Sequence, residues 1–356
     1  MPLRIDQLLA GFADGDAISH EALQIRNVLR QQGHASDIYA DRKHTSPSMI
    51  EECLDAKTLK PGDVLIHHYS IGSPVLDQFA GAESKKVLIY HNITPAHYFR
   101  PYETRITRQL ELARGILPGI AAGVDSVWAD SEYNAAELRQ MKVENVKVFP
   151  LLFDAASGSE PDDPVALSRL AGPLKTILSV GRIIPNKRLD VLLKAFFYYV
   201  KVINPYARLV IIGSPRSCPR YFDLLQMMTM DLDIPNVCFE GFAAPGSIAT
   251  YYRHADLFVS ASDHEGYCLP LVEAMHFNVP VLAHRIGGMP EAMDGAGVLY
   301  ENADPAQIAL LMDMILKRDD IRQNILSSQA ERIQRIRERK VDEELKILLA
   351  DLIGSR

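Results

Sequence analysis

Short apolar runs alternate with amphipathic stretches along nearly the whole sequence, and this rhythm restricts the fold more than any other feature. It is the βαβ pattern of a parallel sheet, whose strands read as brief apolar runs separated by helices. In the first half the strand candidates are Arg4–Phe12, Asp63–Tyr69, Lys86–His91, Ser126–Ala129 and Val146–Leu151. A helical pattern over Ala17–Gln32 is closed by Gly33 in the C-cap position. The texture then breaks at Asp154–Pro164 (DAASGSEPDDP), a small, acidic, proline-containing stretch that reads as a linker. The rhythm restarts at Leu174, with candidates Thr176–Val180, Arg208–Ile212, Val237–Glu240, Leu257–Ser260, Val279–Ala283 and Gly297–Tyr300. From Asp319 to Ile353 runs a long helical pattern broken near Lys340.

A length of 356 residues is too great for one ordinary core. The pattern therefore predicts an α/β protein with two doubly wound, Rossmann-like domains facing each other across a cleft. The expected domains are residues 1–160 and 165–339, with a C-terminal helix, 340–356, returning to the first. In such sheets the loops at the carboxyl ends of the strands carry the chemistry.

Composition removes several classes of function. A hydrophobic share of 47% with 23% charged residues is that of a packed globular protein. The net charge of −7 argues against nucleic acid as a partner, because phosphate backbones select basic faces. Cys53, Cys218, Cys238 and Cys268 are scattered, with no C-x-x-C pair, which suits free thiols in a reducing cytoplasm. No window approaches the ~20 apolar residues of a membrane span, and the N-terminus has no apolar run of signal-peptide length. The expectation is a cytoplasmic protein, at most peripheral at the inner face of a membrane.

The segment richest in chemistry is Ala255–Ile286. A strand ends near Ser262, an irregular loop Asp263–Tyr267 follows, and a helix starts near Leu269 or Pro270, where proline is well tolerated. The free N–H groups of that helix start form a ready anion site. Glu265 stands at the loop mouth and Glu273 on the helix, with seven residues between them. Carboxylates so placed suit two groups of hydroxyls on one ligand, such as a hexose and a ribose. After the strand Thr176–Val180 come Gly181, Arg182 and Lys187, a glycine and two cations at a strand's carboxyl end. Asp14, Gly15 and Asp16 make a D-x-D triplet in the loop before the first helix, where Gly15 permits close backbone approach to a ligand. Two carboxylates offer a hard cation too few oxygens. Neither domain has a G-x-G-x-x-G after its first strand, which weakens a dinucleotide oxidoreductase reading.

These segments resemble the retaining glycosyltransferases of family four, which have the GT-B fold. The resemblance is carried by HEGYCLPLVEAM with its E-x7-E pair, by the following VPVLAHRIGGMPE, and by SVGRIIPNKRLDVLLKAF upstream. YHNITP and ADSEYNAAEL resemble N-domain segments of bacterial enzymes that build surface polysaccharides and lipopolysaccharide O-antigen. The resemblance implies a nucleotide-sugar donor, GDP-mannose first and a UDP-hexose second, a saccharide or lipid-linked saccharide acceptor, and no metal or other cofactor. It gives Arg182, Lys187, Glu265 and His91 catalytic roles. Gly15, Gly181, Gly266, Tyr267, Cys268, Leu269 and Glu273 would complete the donor site, with Asp14, Asp16 and Asn92 on the acceptor side. Arg182 and Lys187 would hold the diphosphate, doing the work of a divalent ion.

Some residues carry two readings. His91 is either close to the reacting sugar or a buried structural histidine. The adjacent His67 and His68 are core or acceptor-side residues, and Ser131 reads as a helix N-cap. The stretch 97–114 interleaves Tyr98, Phe99 and Tyr102 with Arg100, Arg105, Arg108 and Arg114. It is either a membrane-contact surface or an ordinary amphipathic helix. A nucleotide-sugar epimerase and a catalytically silent subunit of the same fold are the competing functions.

Overall fold

The computed structural model describes residues 2–154 and 158–354, so residues 155–157 of the expected linker and residues 355–356 of the expected last helix lie outside the described residues. Two compact units divide the chain. Unit 1 comprises Met1–Pro95, Arg108–Asp154 and Glu338–Arg356, and unit 2 comprises Ala96–Thr107 and Ala155–Arg337.

Unit 1 is a seven-stranded parallel sheet flanked by helices. Its strands are β1 (Ile5–Leu9), β2 (Ile38–Ala40), β3 (Leu54–Asp55), β4 (Val64–Tyr69), β5 (Lys85–Tyr90), β6 (Ser126–Ala129) and β7 (Val146–Val148). They lie in the order β3-β2-β1-β4-β5-β6-β7. Its helices are α1 (Ala17–Gln31), α2 (Val75–Gly81), most of α3 (Thr104–Ala122) and α4 (Glu132–Gln140). β1 and β4 are buried at every position, including the polar Asp6, Gln7, His67 and His68, as expected of central parallel strands covered on both faces. Sequence reading misses β2 and β3, which are three and two residues long and give no run to detect.

Unit 2 contains α5 (Pro164–Arg169), β8 (Lys175–Val180), α6 (Leu189–Tyr198), β9 (Ala207–Ile212), α7 (Pro219–Asp231), β10 (Val237–Gly241) and α8 (Pro245–Arg253). There follow β11 (Leu257–Ser260), α9 (Leu269–His276), β12 (Val281–His284), α10 (Met289–Met293), β13 (Val298–Tyr300), α11 (Pro305–Lys317) and α12 (Asp319–Arg337). The parallel sheet runs β10-β9-β8-β11-β12-β13. The last helix, α13 (Val341–Gly354), belongs to unit 1. Its Leu345, Leu349 and Leu352 are buried with Ile5 of β1, Ile25 and Leu29 of α1, and Trp128 of β6. Leucines at steps of four and three fall on one helical stripe, so α13 is held by its apolar face.

Residues 96–107 depart from the expected boundaries, because they pack with unit 2 although the sequence embeds them in the first domain. Tyr98 donates its hydroxyl to the Asp263 carbonyl at 3.3 Å, Tyr102 meets the Tyr221 ring edge-on at 5.3 Å, and Phe99 is buried. The three aromatics that suggested membrane contact for 97–114 are therefore turned inward. Arg100, Arg105 and Arg108 are exposed, and Arg114 pairs with Glu137. No helix among the described residues is long and apolar enough to cross a membrane.

Candidate active site

In unit 2 the strand order reverses between β8 and β11, whose neighbours on either side run away in opposite directions along the chain. Such a switch point opens a crevice at the carboxyl ends of the two strands. The loops that leave β8 and β11 there are bound to each other. The loop after β8 makes a single tight turn over Pro185–Lys187 and leaves it through Arg188, which is left-handed at φ +47°. Buried Asn186 donates its side-chain amide to the His264 carbonyl at 3.0 Å, and its own carbonyl accepts from the Asp263 amide at 2.8 Å. Arg188 pairs with Asp263 and, at 3.2 Å, with Asp190.

On this seam the two loops present the Lys187–Glu265 pair. Lys187 Nζ donates to Glu265 Oε1 at 2.5 Å, with the two side chains 18% and 11% exposed. Burial opposes the ammonium charge, but the carboxylate of Glu265 overrides it and holds the Lys187 pKa above its ordinary value. Lys187 is thus a fixed positive charge.

Three glycines explain how close the backbones come. A Cβ on Gly213, just after β9, would lie 1.8 Å from the Gly181 carbonyl oxygen. A Cβ on Gly287 would lie 2.2 Å from the Glu265 carbonyl oxygen, and Gly287 is left-handed at φ +58°. The Gly288 amide donates to that same carbonyl at 3.0 Å, so the Gly-Gly turn is the seat of Glu265. Gly181, Lys187, Ser260 and Ser262 line a polar pocket of about 10 Å³, room for about one water molecule.

Gly266 and buried Tyr267 lead to Cys268, the N-cap of α9, which is left-handed at φ +75°. A side chain there costs about 1–2 kcal/mol, and such strain tends to collect at ligand sites. Leu269 is the first residue of α9, one position before Pro270. Glu273, on the same helix, accepts the Tyr252 hydroxyl at 2.8 Å on Oε2. Burial raises its pKa above the ordinary carboxylate value, and the Tyr252 hydrogen bond offsets part of that rise. Arg182 is exposed and makes no hydrogen bond or ion pair among the described residues, yet it lies near enough to Lys187 to oppose its charge. Gly181, Arg182, Lys187, Glu265, Gly266, Tyr267, Cys268, Leu269 and Glu273 are therefore gathered at one end of one sheet. They combine two cations, two carboxylates and a helix start, which together can bind a polyhydroxylated anion.

The expected residues of unit 1 fall differently. His91, expected to reach the ligand, is the clearest departure: its side chain is 2% exposed. Its Nδ1 lies 3.0 Å from Asp130 and its Nε2 2.9 Å from His68 Nδ1, so both nitrogens face protein partners. Burial works against its charge, but Asp130 and then Glu21 raise its pKa. Burial lowers the pKa of His68, with His91 adding to the effect, and burial brings His67 down to about 4. Asn92, left-handed at φ +70°, donates its amide to Asn134 at 2.7 Å and is likewise buried. Asp16 is the N-cap of α1, accepting from the Ser19 amide at 3.0 Å and hydroxyl at 2.8 Å, and Asp14 accepts from the Ser48 hydroxyl. The D-x-D triplet is a helix-capping turn in which the exposed Gly15, at φ +67°, supplies the left-handed step. Ser131 caps α4, as its position suggests. Asn186, Arg188, Asp263 and Gly213 were not singled out in the sequence, and only the Pro-Asn turn hinted at Asn186.

Residues 168–332, within unit 2, match the family described as glycosyl transferases group 1. The D-inositol 3-phosphate glycosyltransferase of Thermomonospora curvata is 33% identical over 153 residues, 41% of this chain and 35% of that protein. The alpha-monoglucosyldiacylglycerol synthase of Streptococcus pneumoniae is 31% identical over 182 residues, 49% of this chain and 40% of that protein. The chain spans roughly two fifths of the length of these curated relatives, 35% and 40%. The solved structure of sucrose-phosphate synthase from Thermosynechococcus elongatus superposes with a TM-score of 0.74 at 16% identity, covering 99% of this chain and all of that one. The fold is GT-B, two Rossmann-like units in one chain.

Proposed function

We propose that the chain is a retaining hexosyltransferase that takes a sugar from a nucleoside diphosphate donor, with no metal ion in the chemical step. The observation that carries this reading is the Lys187–Glu265 pair at the β8/β11 switch point, with unpaired Arg182 beside it. The match of residues 168–332 to group 1 glycosyl transferases supports it.

Breaking the bond between the sugar carbon and the β-phosphate oxygen sends its electron pair to the leaving diphosphate. Lys187 and Arg182 lie where that charge develops, and a fixed ammonium in a partly dry site stabilises it without reorganising. The sugar ionises toward an oxocarbenium, and the acceptor hydroxyl forms the new bond on the face that the phosphate leaves. The hydroxyl proton passes to the departing phosphate oxygen, so no protein base is required. Glu265 contacts the donor hexose while orienting Lys187, and Glu273 binds the ribose hydroxyls from α9. Glu273 gives up part of its charge stabilisation to desolvation, a common condition of functional sites.

GDP-mannose heads the donors to try, followed by UDP-hexoses, with saccharide and lipid-linked saccharide acceptors. Hydrolysis and transfer over that panel, with magnesium in one arm and brief EDTA exposure in the other, test the proposal. Equal initial rates in both arms and an α-linked product from an α-linked donor are expected. Turnover that appears only with magnesium or manganese, or inversion of free nucleotide sugar, would overturn it. Glu273→Ala should weaken both nucleoside diphosphate and donor, whereas Glu265→Ala should spare the diphosphate and reduce turnover.

A further inference from the structure

Glu21 of α1, His68 of β4 and His91 after β5 converge inside unit 1, with side chains 0%, 0% and 2% exposed. The outer nitrogen of each imidazole faces an acceptor. His91 Nδ1 is 3.0 Å from the Asp130 carboxylate. His68 Nε2 is 2.9 Å from Gln7 Oε1, and the Gln7 amide nitrogen donates to the Ala22 carbonyl at 2.9 Å, which fixes the end of the amide that the ring meets. The outer nitrogens therefore carry the protons. The inner nitrogens, His68 Nδ1 and His91 Nε2, face each other across 2.9 Å, a line that holds one shared proton when no ion stands beside it.

Glu21 Oε2 lies 3.8 Å from the first of these nitrogens and 3.6 Å from the second. Neither oxygen of Glu21 has a hydrogen-bond partner among the described residues. A buried carboxyl beside two facing ring nitrogens is balanced at low dielectric only by protons on those groups or by a metal ion among them. The node needs a positive charge at its centre.

We propose that Glu21, His68 and His91 bind a divalent transition-metal ion of the zinc class. Two imidazoles and a carboxylate are a donor set that zinc accepts. Ligands on a tetrahedral ion with 2.0–2.1 Å bonds stand about 3.3 Å apart, and the three separations of 2.9, 3.6 and 3.8 Å bracket that edge. The rings are coplanar, so seating the ion asks them to swing apart by roughly 0.4 Å. Asp130 and Gln7 are the outer partners that fix the tautomers and orientation of metal-bound histidines. With three protein ligands the fourth position falls to a water, and the burial of all three side chains closes the site to solvent. A closed site of this kind is structural: it fastens α1 to β4 and to the start of the loop after β5. It amends the expectation of a metal-free chain without adding a metal to the transfer step.

The test measures metal and stability, so it is independent of whether the chain transfers sugar. Full-length protein, expressed with zinc and purified without tag or chelator, should hold about one zinc per chain by elemental mass spectrometry. Protein stripped by prolonged dialysis should melt lower and recover on adding Zn²⁺. Co²⁺ should give the visible bands of a four-coordinate ion. Glu21→Gln and His68→Gln should each lose the bound metal, and the stripped wild type serves as the comparison if either folds poorly. Metal-free protein whose melt ignores Zn²⁺ and whose cobalt spectrum is that of the free ion would overturn the proposal. So would full metal content in Glu21→Gln. An imidazolium signal for His91 in ¹⁵N spectra of metal-free protein would then identify a shared proton as the occupant.

Discussion

Lys187→Met removes the one charge that the buried face of the site holds fixed, and its two consequences are separable. Lys187 and Glu265 meet at 2.5 Å with side chains 18% and 11% exposed. Breaking a fully buried pair costs about 3–5 kcal/mol, because the abandoned partner stays desolvated. Partial exposure puts this pair at or below the lower end, at about 2–3 kcal/mol, which lowers the melt of a unit of this size by roughly 5–10 °C. The rate should fall further, by about 10²–10³ in kcat, as expected on losing a preorganised partner of developing charge. The double variant Lys187→Met/Glu265→Gln leaves no abandoned charge, so it should recover most of the melt and none of the rate. Donor turnover under saturating conditions, paired with thermal melts of all three proteins, gives the answer. Recovery of kcat to within tenfold of wild type in the double variant would refute the reasoning, since the pair would then be holding the fold and nothing else.

Arg182→Ala, in contrast, should leave the melt unchanged, because the side chain is exposed and unpaired, while kcat falls on the same 10²–10³ scale; a wild-type rate would remove Arg182 from the site. Glu273→Gln should raise stability at pH 8 and not at pH 4, read from melts at both pH values. Because the folded pKa of Glu273 lies above the ordinary value of 4.5, the cost of its charge is absent at low pH, sets in as pH rises through 4.5, and is complete above the folded value. The same variant should bind nucleoside diphosphate more weakly, by calorimetry. Gly287→Ala should reduce turnover and lower the melt, since its Cβ would strike the Glu265 carbonyl at 2.2 Å and the residue is left-handed.

The layered fold was legible because buried parallel strands such as β8 and β9 leave continuous apolar runs, which need no partner to be recognised. Lys187 and Glu265 were singled out because they follow strands, where loops concentrate chemistry, and the structure brings the two together. What was hidden depends on residues far apart in sequence. Nothing local distinguishes Arg182, exposed, from Lys187, five positions on and enclosed; the difference is made by Glu265, 78 residues away. His91 looks like a ligand-facing histidine until Asp130 and His68 arrive from neighbouring strands and enclose it. Asp16 shows the opposite ambiguity, for an aspartate three residues before Ser19 satisfies a metal motif and a helix cap equally well, and the cap won. The assignment of 96–107 to unit 2 rests on Tyr98 and Tyr102 finding Asp263 and Tyr221, contacts that no periodicity encodes.

The place of α13 in the core of unit 1 has a consequence for synthesis. Leu345, Leu349 and Leu352 cover Ile5, Ile25 and Leu29, so the apolar face of β1 and α1 waits for α13, which is made after unit 2. At about 5–20 residues per second the ribosome needs on the order of 15–60 s to add the segment between Leu29 and Leu345, the larger part of which builds unit 2. By the end of that interval unit 2 has its whole sheet, whereas unit 1 has its strands but not its closing leucines. Unit 1 is thus completed only after unit 2, and until then its β1–α1 surface is the apolar face that the nascent chain leaves uncovered.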